Sequence, residues 1–162
     1  GAGDIIALDR SDFRLAMARK FGADFTINVT GLNGDEIIAR VRDLTEGRGA
    51  DVVLECTGYP EAVEQGVQMA RRGGMYVVAG VFADVGPITL NPHHIAARQL
   101  RLVGMCNHPP RGYPASMKLL EKFKDTFPLR DFVTHRFKVD EAASAMAKVQ
   151  DLDSCMKIVI TP

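Results

Sequence analysis

The sequence lacks most of the features that mark a specialised surface. Trp is absent, the three Tyr in 162 residues are scattered, and no basic stripe with interleaved aromatics of the kind that binds nucleic acid occurs. Charge of either sign is not in excess: twenty basic residues face twenty acidic ones, and no net field favours nucleic acid or an anionic membrane. Long apolar runs are missing as well. The longest, residues 5–8 and 75–81, are far too short to span a bilayer. Cysteine is sparse. Cys56, Cys106 and Cys155 are odd in number, widely spaced and form no CxxC, which excludes a disulfide framework and a zinc knot and indicates a reducing compartment. No signal peptide opens the chain, which begins Gly-Ala-Gly-Asp, and the expected location is the cytosol.

What is present is an alternation of short apolar runs with amphipathic stretches. Ile5-Ile6-Ala7-Leu8, closed by Asp9, reads as a strand covered on both faces. Ser11 caps a following helix with Phe13, Met17 and Phe21 on one face, and Gly22 stops it. Phe25-Thr26-Ile27 is a second strand. Asn33 and Glu36 form a capping box ahead of the stripe Ile37, Val41 and Leu44, ended by Gly47 and Gly49. Residues 51–55 are the third strand. Pro60 starts a helix that carries Val63, Val67 and Ala70 and closes at Gly73-Gly74. Residues 75–80 and 100–103 are the fourth and fifth strands. This strand–helix–strand spacing predicts an α/β fold with parallel strands and right-handed crossovers. The remainder differs. Ile88-Thr89-Leu90 is an extended piece cut off by Asn91-Pro92. A helix carries Met117, Leu120 and Phe123, residues 132–139 form a strand, Asp140 caps a helix with Ala142, Ala145, Met146 and Val149, and Ile158-Val159-Ile160 is a last strand.

Asp9 carries the most chemical information. A carboxylate at the carboxyl end of a parallel strand lies where such sheets bind ligands, and it can accept both ribose hydroxyls of an adenosine. The same charge repels a 2′-phosphate, so it favours NAD over NADP. The competing reading is an Asp that simply starts the next turn. A glycine-rich phosphate loop belongs about 20 residues earlier. Gly1-Ala2-Gly3 sits directly against the strand and cannot be that loop. Either Asp9 has only the turn role, or the chain lacks a first strand and helix.

Six short stretches, in order, carry a resemblance. They are residues 5–10, Lys20-Phe21-Gly22-Ala23-Asp24, residues 49–58, Gly73-Gly74 with residues 75–81, Leu102-Val103-Gly104 and Lys157-Ile158-Val159-Ile160. Through them the whole chain resembles the C-terminal, cofactor-binding part of the medium-chain dehydrogenase/reductase family, in its zinc-type alcohol, polyol and threonine dehydrogenase branch. The resemblance implies a partial doubly wound parallel sheet (Rossmann-type) lacking its first strand, with a C-terminal α+β tail. It divides the chain into a partial dinucleotide-binding domain, 1–105, and a tail, 106–162, that returns toward a missing catalytic lobe. It implies an NAD-dependent oxidoreductase that transfers hydride between an alcohol or polyol and the nicotinamide. Asp9 then takes the adenosine ribose, flanked by Arg10, and Arg14 reaches the same sugar unless it only solvates a helix face. Cys56, Thr57 and Gly58 form the turn under the adenine. The strand ends at Gly80-Val81 and Val103 face the nicotinamide, and Lys157 lies near the pyrophosphate.

No catalytic residue and no metal ligand is assigned to this chain. His93, His94, Cys106, His108 and His135 are not spaced to supply the ligands zinc requires; the resemblance puts the zinc in the missing N-terminal lobe and makes His135 structural. Residues 105–110 are either a substrate-cleft loop or a Pro-rich exit loop. The resemblance implies that residues 86–101 pair across a two-fold axis, giving a homodimer or a dimer-based tetramer. A non-catalytic dinucleotide-sensing domain and a zinc-independent quinone reductase are the alternative functions; Asp9 argues against the second, which commonly prefers NADP. Loss of the first strand is expected to leave two interior sheet edges open, with weak NAD binding and no activity in the isolated chain.

Overall fold

The computed structural model describes residues 3–80, 83–84, 86–107 and 109–162. The chain divides into two compact units: Gly1–Gly31 with Tyr113–Pro162, and Leu32–Gly112.

In the first unit, β1 (Ile6–Asp9) runs parallel to β2 (Phe25–Asn28), with Ile6 opposite Phe25 and Asp9 opposite Asn28. Between them lies α1 (Asp12–Lys20). Its N-cap is Ser11, whose hydroxyl accepts from the Arg14 amide, and Gly22 (φ 95°) follows its C-cap Phe21. Leu15, Met17 and Ile27 are buried. Phe21 stacks on Phe127 at 5.8 Å and meets Phe132 edge-on at 4.9 Å, which fastens the end of α1 to the returning chain. That returning chain begins in α5 (Gly112–Phe123) and holds β6 (Val133–Lys138) and β7 (Lys157–Thr161), a parallel pair connected through α6 (Ala142–Lys148).

Asp140 does not cap α6. It lies inside a 3-10 turn, Val139–Glu141, and the carboxylate that answers a free backbone amide there is Glu141, whose Oε2 accepts from Lys138 N at 2.8 Å. The extra 3-10 turn moves the helix start beyond reach of Asp140.

The second unit opens with α2 (Gly34–Leu44). Its capping box is complete: Asn33 Oδ1 accepts from Glu36 N at 3.0 Å, and Glu36 Oε2 accepts from Asn33 N at 2.8 Å. Next come β3 (Ala50–Glu55), α3 (Pro60–Met69), β4 (Ala70–Val78), α4 (Pro92–Arg98) and β5 (Arg101–Gly104). The strands form one parallel sheet of order β3-β4-β5. Ile37, Ile38, Val41, Val67, Met69 and Tyr76 are its core.

Two sequence expectations need correction in this unit. The helix α3 stops at Met69 instead of running through Ala70 to Gly73-Gly74. Ala70 already pairs with Ala50, and the next partners are Val52 and Met75, so residues 71–74 loop out of the ladder as a bulge that the two glycines permit. Asn91-Pro92 does not merely end an extended piece. Asn91 Oδ1 accepts from His93 N at 3.0 Å and Pro92 occupies a first-turn position, so the pair is the start signal of α4. Residues 88–90 form no strand pairing among the described residues.

The strand order is β2-β1 in one unit and β3-β4-β5 in the other, each all-parallel as in doubly wound folds. Among the described residues no strand pairs with the second edge of β1 or of β3. Val52 and Leu54, on one face of β3, are accordingly 54% and 65% exposed, where a doubly wound sheet covers both faces.

Candidate functional site

Two clusters lie at carboxyl ends of parallel strands, one in each unit. In the first, β1 terminates at Asp9. Its Oδ1 accepts from Ser11 N at 2.9 Å, which is the turn-starting role; Oδ2 makes no hydrogen bond with any described residue. Ser11 is buried, and its hydroxyl donates to Leu152 O at 2.7 Å. The Arg14 guanidinium turns the same way: Nη2 donates to Cys155 O at 3.3 Å, while Nε is buried without a partner. The turn that receives these contacts is organised by Asp151, which accepts from Lys148 Nζ at 2.8 Å, Ser154 Oγ at 2.7 Å and Asp153 N at 3.0 Å. The bond from Lys148, then that from Ser154, holds the Asp151 carboxyl well below the usual carboxylate range. Asp9, Ser11, Arg14 and residues 151–155 thus form one connected group. Arg10 is exposed, with its carbonyl accepting from Thr30 Oγ1 at 3.0 Å. Lys157 opens β7 two residues past Cys155 and is exposed.

The second cluster is built around a carboxylate to which sequence reasoning gave no site role. Glu55 ends β3 and is 4% exposed. Its Oε1 accepts from Thr57 N at 2.6 Å, Thr57 Oγ1 at 2.7 Å and Gly58 N at 2.7 Å, and its Oε2 accepts from Gly80 N at 3.1 Å. Burial alone raises its pKa; the bonds from Thr57, Gly58 and Gly80 outweigh that and hold it below the ordinary Glu value. One ionised side chain therefore ties the turn after β3 to the end of β4. The packing there is backbone on backbone. A Cβ on Gly80 would lie 2.5 Å from Gly58 N and 2.6 Å from Cys56 C and Thr57 N, and Gly58 itself has φ 78°. Cys56 is exposed at the head of the turn; burial of its thiol, and then the Glu55 charge, push its pKa up. The sequence held a signal for Glu55, the same one that singled out Asp9: an acidic residue closing a parallel strand immediately before a turn.

Val103 is exposed on β5, opposite Val77, and is not joined to the Glu55 group by any hydrogen bond. Val81 and His108 lie outside the described residues. His135 stacks on Phe137 at 6.4 Å and shares a 3.0 Å hydrogen bond with Thr134 Oγ1, while His93 and His94 touch only edge to edge at 6.2 Å. Among the described residues, no three His, Cys, Asp or Glu are grouped to hold a metal ion.

Parallel strands joined by helical crossovers, with carboxylates closing β1 and β3, define an α/β protein of the doubly wound, Rossmann type. The family can be stated as well. The profile of the zinc-binding dehydrogenases matches residues 1–122, and the chain belongs to that family. It is 34% identical to 5-exo-hydroxycamphor dehydrogenase of Pseudomonas putida over 150 residues, which is 93% of this chain and 42% of that protein. It is 34% identical to erythritol/L-threitol dehydrogenase of Mycolicibacterium smegmatis over 159 residues, 98% of this chain and again 42% of the relative. An alcohol dehydrogenase of Thermotoga maritima superposes with a TM-score of 0.88 at 28% identity, covering 100% of this chain and 44% of the other. The chain spans less than half the length of the relatives it matches. No helix among the described residues is long and apolar enough to cross a membrane.

Proposed function

We propose that this chain is the cofactor-binding part of an NAD-dependent oxidoreductase that moves hydride between an alcohol or polyol and a nicotinamide. The observation that carries the reading is Asp9: a carboxylate closing a parallel strand, one oxygen committed to its own turn and the other open. In this proposal Oδ2 of Asp9 accepts from the adenosine ribose, with Arg10 and Arg14 beside it. Nη2 of Arg14 donates to Cys155 O, and the guanidinium keeps further N–H donors in its fork for that sugar. The turn Cys56-Thr57-Gly58, held down by Glu55, lets the adenine approach backbone; Gly80, Val81 and Val103 face the nicotinamide, and Lys157 offsets pyrophosphate charge. When bound, NAD supplies the hydride acceptor; these residues bind and orient it.

The assignment extends to the whole protein. Residues 1–105 act as the dinucleotide-binding part and 106–162 as a tail directed to a catalytic lobe outside this chain. That lobe holds the zinc. The erythritol/L-threitol dehydrogenase among the relatives supports small alcohols and polyols as the substrate class. The intact enzyme assembles as a homodimer or dimer-based tetramer through residues 86–101, in the cytosol. It has neither nucleic acid nor membrane as a partner.

Two measurements test this. NADH absorbance is followed with the complete protein and a panel of primary alcohols, secondary alcohols and polyols; turnover on one class with NAD is expected, and silence on all of them refutes the reading. Calorimetry on the 162-residue chain alone is expected to show weak NAD binding, because its sheet edges are open; micromolar affinity contradicts that part.

A further inference from the structure

At the other end of the three-stranded sheet lies a cavity of about 310 Å³ lined by Arg42, Arg48, Arg72 and Arg98 together with Gly47 and Ala70. It sits by the first residues of β3 and β4, whereas Glu55 and its turn lie at the last residue of β3. Five strand steps separate the two, roughly 17 Å at about 3.3 Å per residue. Four guanidinium groups and no carboxylate border the space.

Two of the four have a structural task. Arg98 Nη1 donates to Gln68 O at 2.7 Å and more weakly to Val67 O and Ala70 O, both at 3.4 Å; Arg42 Nη2 donates to the same Gln68 O at 3.3 Å. They answer the free carbonyls at the end of α3. Each guanidinium carries five donors in a planar fork, more than those carbonyls use. Crowding the pair has an electrostatic consequence: burial, and then the Arg42 charge, lower the pKa of Arg98. The other two, Arg48 and Arg72, make no side-chain hydrogen bond or ion pair with any described residue. The carboxylate that feels Arg48, Asp51, is bound by Arg71 instead. The cavity thus concentrates positive charge that the described protein does not neutralise, on groups whose geometry suits phosphate oxygens.

We propose that this cavity binds a small phosphate-bearing anion. Its volume is at the lower end of the range for small-molecule pockets and accommodates a pyrophosphate-sized group. The inference is independent of the NAD assignment, whose residues in this unit, 56–58 and 80, lie by the last residues of β3 and β4.

The test is calorimetric titration of the complete protein with inorganic pyrophosphate, using sulfate and NAD as competitors. One site is expected, with affinity that falls as salt rises. The double variant Arg48→Gln/Arg72→Gln, which leaves the α3 carbonyls answered, is expected to weaken it at least about tenfold. Saturating NAD is expected to leave it unchanged. No binding up to about 10 mM, undiminished binding in the double variant, or displacement by sulfate at equal concentration overturns the proposal. So does displacement by NAD, since the pyrophosphate would then report the NAD site. Should the double variant fail to fold, modification of the native protein by phenylglyoxal decides: pyrophosphate is expected to protect Arg48 and Arg72, and equal modification with and without it overturns the idea.

Discussion

Glu55→Gln tests the geometry of the second cluster at one atom. The native carboxylate receives three donors on Oε1 and one on Oε2. An amide keeps one acceptor oxygen for the first three, but as neutral bonds, each weaker than its charge-assisted counterpart by about 1 kcal/mol. Its NH₂ then points at Gly80 N, donor against donor, and leaving that buried amide unpaired costs a further ~1–2 kcal/mol. Relaxation and non-additivity reduce the sum, so a loss of about 3 kcal/mol is expected. The assay is urea denaturation of the complete protein at constant m, with Glu61→Gln, an exposed change, expected to stay within about 0.5 kcal/mol. Hydrogen exchange at the Thr57, Gly58 and Gly80 amides gives the local readout and is expected to speed up. The pH dependence has a definite sign. The folded pKa of Glu55 lies below its unfolded value near 4.5, so its contribution is complete above that value and is lost as pH falls through the folded pKa. The gap between native and variant therefore narrows below about pH 4.5. A Gln variant that matches the native stability, with unchanged exchange at Gly58 and Gly80, refutes the claim that Glu55 ties the two strand ends together.

Gly80→Ala inserts a Cβ against three backbone atoms that cannot swing aside; a loss of about 3 kcal/mol or failure to fold is expected in the same denaturation assay, and a change below about 1 kcal/mol contradicts the close approach. Ser11→Ala removes both a helix cap and the bond to Leu152, and about 1–2 kcal/mol of stability is expected to go with them. Cys56 is exposed but its thiol pKa is raised, so alkylation by iodoacetamide near neutral pH is expected to lag behind free cysteine and to accelerate in Glu55→Gln; an unchanged rate in the variant removes Glu55 as a cause.

Much of the fold was legible because local signals agreed. Ser11, Asn33 and Pro60 mark the helix starts where the structure has them, and the apolar runs at residues 5–8 and 51–55 are strands. Errors fell where a local signal had two meanings. Gly73-Gly74 served a bulge in β4 instead of a helix end, because Ala70 pairing with Ala50 won over helix continuation. Asn91-Pro92 started a helix, and Asp140 lost its cap to a 3-10 turn. That Asp9 closes a strand and that Cys56-Thr57-Gly58 is a turn was legible. That Glu55 holds the turn was not, since the evidence for it is a tertiary contact with Gly80, 25 residues away. The arginine cavity was likewise hidden, as it gathers residues from both ends of the second unit.

The most direct test of the central claim is the ratio of NAD to NADP dissociation constants for the complete protein and for Asp9→Ser. The account predicts that the native protein prefers NAD by about 10- to 1,000-fold, the spread set by the dielectric the carboxylate experiences, and that the Ser variant loses most of this preference. Equal affinity of the native protein for both cofactors, or an unchanged ratio in the variant, would contradict it.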